Sequence, residues 1–328
     1  MAKVTVLTAV YNAERYLRQC LDSLKNQTLK DCQFICIDDC STDASDAVLQ
    51  EYAQADKRFQ VVRTPVNSGL AKARNLGLQF ATGDYIATLD ADDWLAPDAL
   101  ERACEMLEKE HAQCAVLELI EYDEEDGHER VYPIRSAKQE WSGEEAFRLS
   151  LDWSLHGLYV AVRTLYARFP FDDTCRLYSD ENTTRLHYLH SEKVVRCSGR
   201  YYYRKHAASM TKACSVRRFD SMLANVSMKR QLEALELPDK EALLDFYERH
   251  RWLNLVDCYW YYDQHDDAFN VEEQQEIQQL FRQMLQGIER QRLPWSLKCK
   301  LGYYPFRSYR MFCFWEKLYF CLRKWMRR

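Results

Sequence analysis

Short apolar, β-branched runs alternate with segments of helical period along the first 110 residues. Residues 3–10 (KVTVLTAV), 33–37, 59–63 and 85–89 predict four strands. Between them, Tyr16, Leu17, Cys20, Leu21 and Leu24 share one face of a helix over 13–25. Further helices are expected over 43–55, capped by Ser41 or Thr42, and over 70–80 and 97–110. Strand and helix alternating at these lengths predict an α/β fold. Its sheet is mostly parallel, with right-handed crossovers and helices on both faces. Beyond it come a strand over 114–122, a hairpin at Asp126-Gly127 into 129–134, and a helix starting at Ser142-Gly143-Glu144-Glu145. The stretch from Trp153 to Phe171 reads as a strand and a short helix. A helix over 181–189 and strands over 193–197 and 200–205 follow, and the pattern is helical over 216–236, 239–263 and 271–289.

In open parallel sheets, ligands bind beyond the carboxyl ends of the strands. Tyr11, Asp38-Asp39 and Asp90-Ala91-Asp92-Asp93 all lie at such ends, so three polar clusters converge on one rim. The last cluster gathers three carboxylates within four residues. Their repulsion is relieved by hydration in a loop capping the next helix, or by a divalent cation holding a diphosphate. Both readings stand on the residues alone.

Composition narrows the class. The 328 residues are 47% hydrophobic and 29% charged, with only 9 Gly and 7 Pro, as in a folded protein without long flexible linkers. The 13 Cys show no Cys-x-x-Cys pair, and several, such as Cys36 and Cys114, lie in apolar patterns. Reduced thiols in a cytoplasmic protein are expected. No signal-peptide pattern and no membrane-spanning run is visible.

The motifs now add up. Val4-Thr5-Val6-Leu7-Thr8-Ala9-Val10-Tyr11-Asn12, Gln27-Thr28, Ile37-Asp38-Asp39-Cys40-Ser41-Thr42-Asp43, Asn67-Ser68-Gly69-Leu70-Ala71-Lys72-Ala73-Arg74-Asn75 and Asp90-Ala91-Asp92-Asp93 occur in order. Together they resemble the amino-terminal half of a family 2 glycosyltransferase with the GT-A fold. The resemblance runs more loosely to about residue 212. It implies an inverting transfer of a sugar from a nucleotide diphosphate sugar, assisted by Mn²⁺ or Mg²⁺.

Carried over by position, the resemblance puts Thr8, Val10 and Tyr11 at the nucleobase, with Tyr11 stacking or packing on it. Asp39 would accept a hydrogen bond from the base, as a uracil N–H requires, and Asp38 would brace that loop. Lys72 and Arg74 would suit ribose or diphosphate, although Lys72 equally fits a solvated helix face. Asp90 and Ala91 fall at the nucleotide sugar, Asp90 on its ribose. Asp92 falls at the metal, and Asp93 orients the site or meets the acceptor.

Inversion needs a general base. Family members often place it in a Glu-Asp pair before a helix, and Leu177-Tyr178-Ser179-Asp180-Glu181 occupies that place. Ser179 departs from the pattern, Asp180 keeps the position of the base, and Glu181 is its rival. Tyr201-Tyr202-Tyr203-Arg204-Lys205-His206 through Thr211 resembles a later strand and loop of the family. There, Arg204 or His206 would touch the diphosphate or its metal.

Charge is uneven along the chain. Residues 290–328 hold 11 Lys/Arg against the single acid Glu316, a balance of +10 that leaves −15 on residues 1–289. Trp, Tyr and Phe interleave with these cations, as suits a membrane interface. Docking within the chain is the second reading, and nucleic acid a distant third without any motif for it.

The expected organisation is therefore a catalytic domain over 1–212, its nucleotide-sugar half ending near 112 and its acceptor half running from 113 to 212. A helical region over 213–289 and a basic aromatic tail over 290–328 follow. The expected enzyme takes a UDP-linked sugar to a hydroxyl of a cell-surface glycan or lipid-linked acceptor, on the inner face of the cytoplasmic membrane. A missing Gly-rich phosphate loop argues against a nucleotidyltransferase. Ser179 keeps open an inactive homologue that serves as a membrane-bound partner.

Overall fold

A computed structural model describes residues 2–175, 177–206 and 214–326, apart from the side chains of Ser179 and Met326. The chain divides into two compact units, Met1–Ser209 and Met210–Arg328.

The first unit opens with β1 (Val4–Val10), α1 (Glu14–Lys25), β2 (Cys32–Asp38), α2 (Ser45–Ala55), β3 (Phe59–Arg63), α3 (Leu70–Leu78) and β4 (Tyr85–Thr88). β5 (Trp94–Leu95), α4 (Ala99–Glu110), β6 (Cys114–Asp123), β7 (Glu129–Val131), β8 (Glu140–Trp141) and α5 (Gly143–Ser150) follow. β9 (Tyr159–Val162), α6 (Arg163–Arg168), α7 (Ser179–Leu189) and β10 (Val194–Lys205) complete it. These strands form one sheet, ordered β3-β2-β1-β4-β9-β6-β10-β5. The first four run parallel, β9 enters antiparallel between β4 and β6, and β10 runs parallel to β6.

Alternation in β1 makes the two-sided core. Val4, Val6 and Val10 face the layer of α1, where Leu17, Cys20, Leu21 and Leu24 are buried. Leu7 faces the other layer with Ile35, Ile37 and Ala73 of α3. Register then builds the rim: Val10 pairs with Asp38, and the Asp39 N–H donates to the Val10 carbonyl at 2.8 Å. Loops after β1 and β2 thus leave the sheet side by side.

Several local expectations change. α2 begins at Ser45 without a side-chain cap, because Ser41 is used elsewhere: its Oγ accepts from the Asn12 N–H at 3.1 Å. The two strands expected over 193–205 are one, β10, with a register shift between Arg196 and Arg200. Gly199 sits in that irregularity, where a Cβ would lie 2.4 Å from the Ala99 carbonyl of α4, so only glycine lets the strand pass. α5 starts at Ser142 as predicted, with a reciprocal capping box to Glu145. All 13 cysteines are free, and burial pushes the thiols of Cys36 and Cys114 up to about 12.

The second unit is helical: α8 (Asp220–Ala234), α9 (Lys240–His265), α10 (Val271–Gln286), α11 (Trp295–Lys298) and α12 (Tyr309–Met326). Its core joins Trp252 and Tyr259 of α9 to Phe281 of α10 and Phe312 and Phe320 of α12. The basic tail is therefore not a separate segment. One face of it completes the core of the helical unit.

Candidate active site

The rim is held by side chains that tie each loop to the next. Asn12, with φ 49°, takes the Thr42 N–H on its Oδ1 at 2.8 Å. Asp38 is buried, accepts the Ser41 N–H at 2.9 Å and pairs with Arg63 at 3.1 Å, so it braces its loop. Asp39 turns to the loop before α3, accepting from Thr64 Oγ1 and Ser68 Oγ at 2.7 Å and from the Gly69 N–H at 2.7 Å. Burial pushes its carboxyl up, but the donors from Ser68, Thr64 and Gly69 outweigh it and hold Asp39 below the usual carboxylate range. Any N–H that Asp39 takes from a base competes with these donors.

Tyr11 stands out from this loop, 50% exposed, which excludes a core role for the ring. Thr8 and Val10 do not line an open pocket with their side chains, because both are fully buried. Ala9, on the same side as Leu7, is partly buried against that second layer, so Tyr11 is the residue of this strand end that stands out.

Arg74 is also buried, and its guanidinium is already engaged. Nη2 donates to Asp90 Oδ1 at 2.5 Å, and Nη1 lies 3.5 Å from Asp180 Oδ2. Rather than meeting ribose or diphosphate directly, Arg74 clamps two carboxylates, one from the loop after β4 and one from α7. Lys72, on the same helix, is exposed beside an open cavity of about 370 Å³ between residues 66–72 and 173–175. Ala91 is buried under the loop, and burial pushes Asp90 up, against the pull of Arg74.

Asp93 is 1% exposed and accepts from the Tyr201 hydroxyl at 2.7 Å and the Arg204 N–H at 2.8 Å. Burial and then the charges of Asp90 and Asp92 push its carboxyl well above the usual range. Of the two roles expected of Asp93, burial leaves orienting and removes contact with an acceptor.

Arg204 is a brace as well. Its Nε donates to the Asp92 carbonyl at 2.9 Å and its Nη2 to Gln19 at 2.5 Å, while the guanidinium lies over Trp94 at 4.7 Å and Tyr16 at 4.9 Å. The sequence reading missed Tyr16, Gln19 and Trp94, and Tyr201 carried no assigned role. The motif from Tyr201 to His206 signalled Tyr201, and nothing in the sequence signalled the other three.

The side chain of Asp92 is different. It is partly exposed, and its Oδ2 lies 2.9 Å from His206 Nε2. Two adjacent ligands of an octahedral cation at roughly 2.1 Å stand about 3.0 Å apart, so this pair fits such an ion. His206 Nδ1 has no hydrogen-bond partner among the described residues and is available to carry the ring proton when Nε2 turns to a cation. No group of three or more His, Cys, Asp or Glu that could hold a metal occurs among the described residues. A cation held here would have two protein ligands and would rely on substrate phosphate for others. The expected motif from Ala207 to Thr211 lies outside the described residues.

Asp180 and Glu181 open α7 and part there. Asp180 is partly exposed and linked to Asp90 through Arg74. Glu181 turns to the buried Arg185 at 2.9 Å, and burial, opposed by Arg185, pushes it up to about 7.

Among known proteins, this chain is 32% identical over 225 residues to glycosyltransferase GlyA of Streptococcus pneumoniae, covering 64% of this chain and 32% of GlyA. It is 41% identical over 103 residues to the poly(ribitol-phosphate) beta-glucosyltransferase of Bacillus spizizenii, covering 30% of this chain and 16% of that enzyme. It therefore spans about a third or less of the length of these relatives. The fold resembles Staphylococcus aureus TarS 1–349 in complex with UDP-GlcNAc, with a TM-score of 0.73 at 18% identity over 92% of this chain and 87% of that one. It also resembles the mannosyltransferase PcManGT of Pyrobaculum calidifontis in complex with GDP-Man and Mn²⁺, with a TM-score of 0.57 at 17% identity over 83% and 77%. The sequence profile of glycosyl transferase family 2 matches residues 5–174, slightly more than half of the 328, and the chain belongs to that family.

Proposed function

We propose that this chain transfers a sugar, with inversion, from a nucleotide diphosphate sugar to a hydroxyl of a cell-surface glycan or lipid-linked acceptor. One observation carries the reading: a partly exposed carboxylate, Asp92, facing His206 at 2.9 Å on the rim where Tyr11, Asp39 and Asp90 also lie. Tyr11 packs on the nucleobase, and Asp39 takes its N–H once Ser68 yields. A UDP donor is supported by the complex of TarS with UDP-GlcNAc, although PcManGT with GDP-Man has the same fold. Asp90 meets the ribose, kept in place by Arg74. Lys72 reaches the open cavity beside α3 and suits the sugar diphosphate.

Asp92 and His206 would hold Mn²⁺ or Mg²⁺, which as a Lewis acid stabilises charge on the leaving nucleoside diphosphate. Asp180 takes the proton from the acceptor hydroxyl as that oxygen attacks the anomeric carbon. Its partial exposure and its tie through Arg74 to the donor carboxylate Asp90 support this role over Glu181, which is turned to Arg185. Asp93, Tyr201 and Arg204 hold the backbone of the Asp92 loop. A polymeric acceptor is supported by the relative named for poly(ribitol-phosphate).

The test is turnover of UDP-, GDP- and TDP-sugars with Mn²⁺. Release of nucleoside diphosphate from one of them, lost in Asp92→Ala, supports the reading. No turnover of any donor under these conditions would favour the inactive homologue instead.

A further inference from the structure

The outward half of α12 has no counterpart in the core. At about 100° per residue, Phe312, Glu316 and Phe320 share the inward face. Phe312 packs at 5.0 Å from Tyr259, and Phe320 at 4.3 Å from Trp260. The helix is thus folded and docked through that side. On the opposite side, Met311, Phe314, Leu318, Leu322 and Trp325 are all exposed, Phe314 by 61% and Trp325 by 75%. Their spacing of three and four residues lines them up in one stripe over an arc of about 80°. An apolar stripe of this kind on a folded chain marks an interaction surface.

Charge identifies the occupant. Exposed Arg310, Lys317 and Lys324 lie along one edge of the stripe, within the next part of the same arc. The only acid in α12, Glu316, is on the buried side at 0% exposure. Lys317 already lies 3.7 Å from Asp263 of α9, and a second copy of the helix would still bring together Arg310 and Lys324 of two cationic edges, which form no ion pair among the described residues. Nucleic acid would leave the five apolar side chains without a place. An anionic lipid surface satisfies both halves, because rings and aliphatic chains enter the headgroup boundary while cations meet the headgroups. No helix among the described residues is long and apolar enough to cross a membrane, so α12 would lie along the surface rather than span it.

We propose that the outward face of α12 is a seat for an anionic lipid bilayer. Met311, Phe314, Leu318, Leu322 and Trp325 insert at the headgroup boundary, and Arg310 and Lys324 bind headgroup phosphate. Because the helix is already packed on α9, no ordering of the segment opposes binding.

Cosedimentation of the full chain with vesicles tests this independently of sugar transfer. Vesicles of phosphatidylglycerol and phosphatidylcholine should pellet the protein, and phosphatidylcholine alone should pellet at least tenfold less. Phe314→Glu with Leu318→Glu should lower binding at least tenfold with an unchanged unfolding midpoint. Arg310→Glu with Lys324→Glu, which leaves every apolar side chain of the stripe in place, should abolish the preference for anionic vesicles. Wild-type protein remaining in the supernatant, or either variant binding as wild type does, would overturn the proposal. So would light scattering that finds a dimer dissolved by the Phe314 and Leu318 changes, which assigns the stripe to a second copy. Binding to DNA in place of vesicles overturns it equally.

Discussion

His206 Nε2 and Asp92 Oδ2 stand 2.9 Å apart, although 114 residues of sequence separate them. β10 delivers the imidazole to the end of β4, and Arg204, two residues earlier, grips the Asp92 carbonyl so that the carboxylate faces it. Removing either ligand should weaken the cation site while leaving the fold intact. Asp92→Ala is expected to lower turnover at least 10³-fold, and His206→Ala to raise the Mn²⁺ concentration needed for half-maximal rate about tenfold. Rate against Mn²⁺ concentration, with circular dichroism of each variant, checks both.

Arg74 reaches Asp90 and Asp180 with two different nitrogens. Lysine carries the charge without the fork, so Arg74→Lys can hold one carboxylate but not both. The expected outcome is a fall in kcat of about 10²-fold, with the thermal midpoint lowered by only a few degrees. A variant with wild-type kcat would show that the clamp has no part in the reaction.

The choice between Asp180 and Glu181 has a pH signature. Burial pushes Glu181 up to about 7, so Glu181 as base would give a rate rising through about pH 7, with the inflection lost in Glu181→Gln. With Asp180 as base, Asp180→Asn removes at least 10²-fold of kcat, and Glu181→Gln leaves the profile unmoved. Initial rates across pH 5–9 separate the two.

Glu316 is wholly buried, and neither of its oxygens has a hydrogen-bond partner among the described residues. Burial alone pushes its carboxyl from 4.5 up to about 8. The folded chain then holds a proton that the unfolded chain releases above about 4.5, so this group makes stability fall as pH rises from about 5 to about 8. Glu316→Gln should flatten that decline. Thermal midpoints at pH 5.5 and 8.5 for the two proteins check it, and equal slopes would contradict it.

Tyr11 is half exposed and makes no part of the core, so Tyr11→Ala should act on the donor alone. The donor KM is expected to rise about tenfold, near the value of one lost base-stacking contact, with the thermal midpoint unchanged. Steady-state kinetics with a varied nucleotide sugar checks this.

Much of the rim was legible because strand period and topology place Tyr11, Asp38-Asp39 and Asp90 to Asp93 at strand ends, whatever each side chain then does. What the pattern could not carry is where individual groups spend their bonds. Arg74 looks like any helical cation in sequence. Only its ion pairs, to Asp90 beyond β4 and to Asp180 of α7, show it buried between two carboxylates. Asp93 looks like a site acid until β10 closes over it with Tyr201. The two-residue strands β5 and β8 are too short for periodicity to mark. The tail read as apolar nearly all round, and the two faces of α12 separate only once α9 covers one of them.

Isothermal titration of UDP into the full chain, with and without Mn²⁺, tests the central claim most directly. The account predicts binding that weakens at least tenfold when Mn²⁺ is omitted or when Asp92 is replaced by alanine. Equal affinity with and without the cation, unchanged in Asp92→Ala, would contradict it.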